Sequence, residues 1–125
     1  MASVLSYRDL VVWQKAMALA VASYKATRTF PASETCGMVS QIRRAAVSIP
    51  ANIAEGNGRE ITGSSIHSLR IAQGSLKELE THVLLSNMIE LMEKEGSERL
   101  LADCEEVGRM LRALIRALQE RSTAQ

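Results

Sequence analysis

The stretch MVSQIRRAAVSIPANIAEG, residues 38–56, decides the fold of this 125-residue chain. Apolar side chains recur in it every three or four residues, the period of one face of an α-helix, and they are Met38, Ile42, Ala45, Ile49 and Ile53. Ser33 or Thr35 is the predicted N-cap, and the glycine-containing run that begins at Gly56 is predicted to end the helix. Pro50 lies inside the pattern, and we expect it to kink the helix about one turn earlier without dividing it.

Three further segments show the same helical period. The first begins at a sequence resembling a capping box, Ser6-Tyr-Arg-Asp9, and its predicted core stripe is Leu10, Trp13, Met17, Val21, Tyr24 and Arg28. The stripe of the third helix is Leu69, Ala72, Leu76, Leu79 and Val83. Ser97 with Glu98 is predicted to cap the fourth helix, whose stripe is Leu100, Cys104, Val107, Leu111, Leu114 and Leu118. The four predicted helices cover about residues 7–29, 34–56, 64–90 and 97–120.

Four amphipathic helices with short connections bury their apolar stripes most simply as an antiparallel, up-down-up-down bundle. Residues 1–125 are enough for one hydrophobic core and too few for two ordinary domains. Two prolines and seven glycines leave little turn chemistry for a β-sandwich or a barrel. The predicted fold is therefore all-α, a single four-helix-bundle domain.

The charges of the chain nearly cancel, with 15 Lys and Arg against 14 Asp and Glu, a net charge of +1. This is not the strongly basic composition typical of proteins that bind nucleic acid. Residues 1–59 carry seven basic and three acidic side chains, a net +4, and residues 60–125 carry eight basic and eleven acidic ones, a net −3. We therefore expect any anion-binding surface in the first half of the chain.

The cysteines and the hydropathy indicate a cytoplasmic protein. Cys36 and Cys104 form no C-x-x-C motif and follow no secretory signal, so we expect both to be reduced, buried thiols. The longest stretch without a charge is residues 45–54, ten residues, far shorter than the ~20 residues that a membrane-spanning helix needs. We predict no membrane association.

The second helix has a polar face beside its apolar stripe, formed by Gln41, Arg44, Ser48, Asn52 and Glu55. One interpretation is a hydrogen-bonded network that fixes the register of the helices, with Arg44 paired to Glu55 or Glu78. The other is a surface that contacts a ligand or nucleic acid, where Arg43 and Arg59 face outward and bind phosphate. Both interpretations stay open at this point.

Two further faces are apolar or small where a monomer would normally place charges. On the first helix this face includes Val12, Ala16 and Leu19, and on the third it includes Ile71, Gly74, Glu78, His82 and Leu85. Gly74 costs about 1 kcal/mol of helix propensity relative to alanine, which favours the close approach of another helix at this position. These eight residues are the predicted subunit interface. The alternative is that both faces pack inside one chain.

No pattern in the sequence indicates catalysis. The run Gly56-Asn-Gly-Arg59 lacks the lysine and the Ser or Thr of a phosphate-binding loop. His67 and His82 are fifteen residues apart and belong to no carboxylate–histidine pair of the di-iron type. No base lies near Ser48 or Ser75 in the sequence. We predict no enzymatic activity, no cofactor and no metal.

The run from Gln41 to Gly56, with LVVWQK at residues 10–15 and AQGSLKELE at residues 72–80, closely resembles a family of four-helix-bundle proteins. That family was first noticed as products of intervening sequences in bacterial large-subunit (23S) rRNA genes, and it includes the accessory variability proteins of diversity-generating retroelements. The resemblance covers nearly the whole chain. It implies a left-handed up-down-up-down bundle, a ring-shaped homopentamer and no enzymatic reaction.

The resemblance also implies two kinds of function. The first is a homo-oligomeric scaffold or adaptor without enzymatic activity. The alternative is an accessory protein that binds RNA and acts with an RNA-processing or reverse-transcriptase-like partner. The retroelement members are strongly basic, and the near-neutral charge of this chain departs from them.

Overall fold

The computed structural model describes residues 6–58 and 62–123. Four α-helices follow one another, α1 Val11–Thr27, α2 Met38–Asn57, α3 Thr62–Met88 and α4 Lys94–Thr123, with short 3₁₀ turns at Tyr7–Asp9 and Ala32–Glu34. Each helix packs against the next, and α4 also packs against α1. The described residues contain no strand. The predicted all-α, antiparallel up-down bundle is confirmed, and within the described ranges no helix is both long enough and apolar enough to cross a membrane.

The first two helices begin at other residues than the predicted ones. Ser6 and Asp9 do form a capping box, but it closes the first 3₁₀ turn, and α1 begins at Val11. The N-cap of α2 is Gly37, and neither Ser33 nor Thr35 caps the helix; the backbone N–H of Met38 donates instead to the Glu34 carboxylate at 3.1 Å. Pro50 lies within an uninterrupted α2.

The connection between α3 and α4 is tighter than predicted. α4 begins at Lys94, one turn before the predicted cap, and Ser97 is buried with its hydroxyl donating to the Lys94 carbonyl at 2.9 Å. The end of α3 is closed by a Schellman-type pair of bonds, from Leu91 N–H to the Ser86 carbonyl and from Glu90 N–H to the Asn87 carbonyl. Glu90 has φ of 65°, the left-handed conformation that favours glycine.

The predicted core stripe of α1 is wrong, because the opposite side of the helix faces the core. Its buried residues are Val12, Ala16, Leu19, Ala20, Ser23 and Thr27. Met17, Val21 and Tyr24 are 40%, 49% and 40% exposed. Both sides of α1 are apolar, so periodicity alone does not distinguish them. The buried hydroxyl of Ser23 donates to the Leu19 carbonyl at 2.8 Å, so its burial leaves no hydroxyl unpaired.

The stripes predicted for α2 and α3 are buried, apart from the half-buried Met38. In α4, Leu100, Cys104, Val107 and Leu111 are buried as predicted, but the core then continues with Ile115 while Leu114 and Leu118 are only half-buried. A strict four-three alternation repeats every 3.5 residues and drifts off the face of a helix with 3.6 residues per turn. Cys36 is exposed, so its predicted burial is wrong.

Gly56 lies at a close approach between α2 and α3. A Cβ atom at this position would lie 3.1 Å from the backbone oxygen of Ser65, and 3.4 Å from side-chain atoms of Leu69 and Ser68. The glycine therefore lets the two helices approach, and α2 ends one residue later at Asn57.

Candidate functional site

A small hydrogen-bond network joins the polar face of α2 to α3. The hydroxyl oxygens of Ser48 and Ser75 are 2.7 Å apart. The amide of Asn52 donates to the Ser48 carbonyl at 2.8 Å and to the Ser48 hydroxyl at 3.1 Å. All three side chains are half-buried. The part of the predicted network that faces α3 is therefore present, and it fixes the two helices in register.

The rest of the predicted polar face points to solvent. Gln41, Arg44 and Glu55 are exposed. Within residues 6–58 and 62–123, no ion pair joins Arg44 to Glu55 or Glu78, so the predicted internal pairing of Arg44 is wrong. Glu78 lies beside His82 instead, with Oε2 3.6 Å from Nε2.

Arg43 is bound to the C-terminal end of α1. Its Nε donates to the Thr27 hydroxyl at 3.0 Å, and its Nη2 donates to the Tyr24 carbonyl at 3.3 Å. The guanidinium carbon lies 4.5 Å from the centre of the Tyr24 ring, a cation–π contact. The prediction of an outward-facing Arg43 that binds phosphate is therefore wrong. Arg59, its predicted companion, lies outside the described residues.

An open apolar groove runs between α1 and α2. It has a volume of about 300 Å³ and is lined by Met17, Ala20, Val21, Tyr24, Lys25, Arg28, Val47 and Pro50. It adjoins a shallower groove of about 650 Å³ along α2, which includes Arg43 and Arg44. We call the exposed apolar residues Met17, Val21, Tyr24 and Val47 the α1–α2 face. Its rim is basic.

A second exposed apolar surface lies on α3 and its C-terminal end. We call it the α3 face, and its members are Ile71, Leu84, Leu85, Met88 and Ile89, between 42% and 77% exposed. Of the predicted interface residues on α3, Ile71, Gly74, Glu78 and Leu85 are exposed and His82 is half-buried. Their contact with another subunit stays a prediction.

The predicted interface residues on α1 have a different position. Val12, Ala16 and Leu19 are 5% exposed or less and pack in the core of the single chain. The prediction that these three residues contact another subunit is wrong. Met17, Val21 and Tyr24, on the exposed side of α1, were predicted for the core. They belong instead to the α1–α2 face.

A third surface, between α3 and α4, was missed by the sequence analysis. This α3–α4 groove has a volume of about 380 Å³ and is lined by Arg70, Gln73, Gly74, Leu76, Lys77, Gly108 and Arg112. A Cβ atom at Gly108 would lie 3.3 Å from Leu76 Cδ2 and 3.4 Å from Arg112 Nη1. Gly108 therefore lets α3 and α4 approach with the Arg112 guanidinium above the contact.

One sequence signal would have located this groove. Residues 63–77 and 107–119 contain five Arg and Lys residues and no Asp or Glu. Residues 78–106, between them, contain nine acidic and two basic side chains. Because α3 and α4 are antiparallel, the two acid-free segments lie at the same end of the bundle. The net charge of −3 for the second half of the chain conceals this separation.

The buried thiol of Cys104 is chemically inert. Burial raises its pKa to about 12, and the nearby carboxylates of Glu80 and Asp103 add to this shift. The thiol is therefore neutral at physiological pH and is not a nucleophile. In the described part of the chain, no three His, Cys, Asp or Glu side chains come together as potential metal ligands.

Comparisons with known proteins point to one family. A family model described as 23S rRNA-intervening sequence protein matches residues 8–113. The chain is also similar to a crystal structure of a protein of unknown function from the S23 ribosomal protein family of Bacteroides thetaiotaomicron, with 29% sequence identity and a TM-score of 0.75. That match covers 84% of this chain and 98% of the other. No curated protein is significantly similar in sequence.

Proposed function

Because the chain belongs to the 23S rRNA-intervening sequence protein family, we propose that it is a homo-oligomeric scaffold or adaptor of the cytoplasm. It acts by binding and not by catalysis, and its assembly is a ring of five copies. The observation that carries this proposal is the exposure of large apolar side chains on two separate surfaces, the α1–α2 face and the α3 face. Large apolar side chains that are exposed together on one side of a small protein are typical of interaction sites.

The two faces differ in charge, which favours contact between unlike faces. Lys25 and Arg28 line the groove of the α1–α2 face. Glu90 and Glu93, both exposed, lie at the C-terminal end of the α3 face. Contact between the α1–α2 face of one copy and the α3 face of the next is a heterologous interface. A linear row of copies joined in this way leaves one face of each type uncovered at its ends. A closed ring covers both faces of every copy.

Charge substitution on one face tests this arrangement. Val21→Asp places a carboxylate in the α1–α2 face, and Ala117→Asp places one at an exposed position on α4, outside both faces. We expect sedimentation velocity to show a single 13.7 kDa subunit for Val21→Asp and the wild-type assembly for Ala117→Asp. Far-UV circular dichroism verifies that both variants remain helical. A Val21→Asp variant that keeps the wild-type mass would show that the α1–α2 face is not the interface.

A second candidate function is an accessory protein that binds RNA alongside an RNA-processing or reverse-transcriptase-like partner. Arg43 no longer supports it, because its guanidinium is held by α1. The observation that favours it is the lining of the α3–α4 groove, in which the described residues include three cations, Arg70, Lys77 and Arg112, and no acidic side chain. A nitrocellulose filter-binding titration with RNA at low salt tests this function. The absence of any retained RNA would leave a protein as the partner of the scaffold.

A further inference from the structure

We infer that the α3–α4 groove binds the phosphate backbone of RNA, chiefly through Arg70 and Arg112, with Lys77 contributing. This inference rests on the second of the two proposed functions. It assigns Gly74 to the groove, in place of the subunit contact predicted for that residue. The net charges of the two halves of the chain predicted an anion-binding surface in residues 1–59. The groove is instead formed by residues of the second half.

Two of the three cations that line the groove form no ion pair within the described residues. Lys77 is paired with Glu80, with Nζ 3.0 Å from Oε1, so part of its charge is neutralised. In the described ranges, no ion pair involves Arg70 or Arg112, and both are exposed. The nearest acid by register on α4 is Glu105, one turn before Gly108. An exposed pair of unneutralised guanidinium groups on one groove is suited to anions.

The dimensions of the groove suit a chain of phosphates better than a single one. Arg70 and Lys77 are seven residues apart on α3, about 10.5 Å along the helix axis at 1.5 Å per residue. Arg112 lies across the groove on α4. Cations spread over this length can each contact a different one of the successive phosphates of a polynucleotide. The open shape of the groove also allows a strand to pass through.

Gly74 forms an open floor between these cations. A Cβ atom there would have no side chain and no neighbouring helix of the described residues within 4 Å, so the packing of a single chain does not require a glycine. Glycine in the middle of a helix nevertheless costs about 1 kcal/mol relative to alanine. A backbone that approaches α3 closely at this point explains the residue, because the missing side chain lets the bound strand lie between Arg70 and Lys77.

The groove offers no stacking platform for bases, so its contacts to RNA are chiefly with phosphates. None of the described residues that line it is aromatic. Binding through phosphates alone is independent of sequence and falls steeply with salt. For two phosphate contacts on a single strand, the salt dependence corresponds to about a sevenfold loss of affinity between 50 and 200 mM salt.

Charge reversal in the groove tests the inference. The double variant Arg70→Glu/Arg112→Glu is compared with Arg8→Glu/Arg99→Glu, which reverses two exposed cations outside the groove and outside both apolar faces. The probe is a fluorescently labelled oligouridylate, titrated by fluorescence anisotropy at low and moderate salt. We expect the groove variant to bind at least about tenfold more weakly than the wild type at ~50 mM salt and to have a shallower salt dependence. The control variant should lose less than about threefold in affinity. A neutral variant, Arg70→Gln/Arg112→Gln, should show an intermediate loss.

The possible results separate the site from the function. Equal affinity of the wild type and the groove variant would overturn the site and leave RNA binding in place. No binding by the wild type even at ~50 mM salt would overturn both the site and the second proposed function. Full displacement of the oligouridylate by equimolar inorganic phosphate would also overturn the inference, because it would assign the groove to a single phosphate. Circular dichroism and the sedimentation of the groove variant confirm that its fold and assembly are unchanged.

Discussion

Replacing Arg43 by alanine should destabilise the protein, whereas replacing the adjacent Arg44 should not. Arg43 makes a 3.0 Å hydrogen bond to the Thr27 hydroxyl, a longer one to the Tyr24 carbonyl and a cation–π contact with the Tyr24 ring. Net contributions of about 1 kcal/mol for the shorter hydrogen bond and about 0.5 kcal/mol for each of the other two contacts give roughly 2 kcal/mol. Arg44 is exposed and makes no such contact within the described chain, so its loss should cost under about 0.5 kcal/mol.

Urea unfolding followed by far-UV circular dichroism measures both values. For a chain of this length, a loss of 2 kcal/mol corresponds to a decrease in Tm of about 8 °C. Both arginines line the shallow groove beside the α1–α2 face, so each variant is measured at low and high protein concentration. An effect on assembly depends on concentration, and an effect on the single chain does not. Equal stability of the two variants would refute the assignment of Arg43 as a bond between α1 and α2.

Three further substitutions have expected outcomes. Glu90→Gly should raise the free energy of unfolding by about 0.5–1 kcal/mol in urea titrations, because Glu90 has φ of 65° at the end of α3; an unchanged value would argue against the left-handed conformation. Ser86→Ala should be neutral or stabilising by up to about 1 kcal/mol, because the buried Ser86 hydroxyl has no hydrogen-bond partner among the residues that the structure describes; a loss above about 1 kcal/mol would reveal a partner. Burial raises the pKa of Cys104 from 9.0 to about 12, so the stability due to its neutral thiol is complete below pH 9 and falls as pH rises toward 12. The unfolding free energy of the wild type should therefore decrease more steeply above pH 9 than that of Cys104→Ala, and equal slopes would contradict the shift.

The fold could be predicted because each helix has its own local signal. The apolar stripe of α2 has mainly polar residues elsewhere on the helix, so the period alone identifies its buried face. In α1 both sides are apolar, and the sequence predicted Met17 and Val21 for the core where the structure has Ala16 and Leu19. The choice depends on which side allows the closer approach of α2 and α4, and this is a property of the packed bundle.

The binding surfaces depended on contacts between helices, which spacing along the chain does not show. Arg43 is held by residues of α1 sixteen and nineteen positions earlier, and the spacing of residues within α2 does not indicate this contact. The α3–α4 groove combines Arg70 with Arg112, which are distant in sequence but lie at the same end of antiparallel helices. Net charge summed over halves of the chain cannot detect such a surface.

We propose that the chain functions as a ring of identical copies. Light scattering coupled to size-exclusion chromatography measures the mass of that assembly. We expect a mass of five subunits of 13.7 kDa, about 68 kDa, that stays constant over a range of protein concentrations. A mass of 13.7 kDa at every concentration would contradict the claim of assembly, and a dimer would contradict the ring.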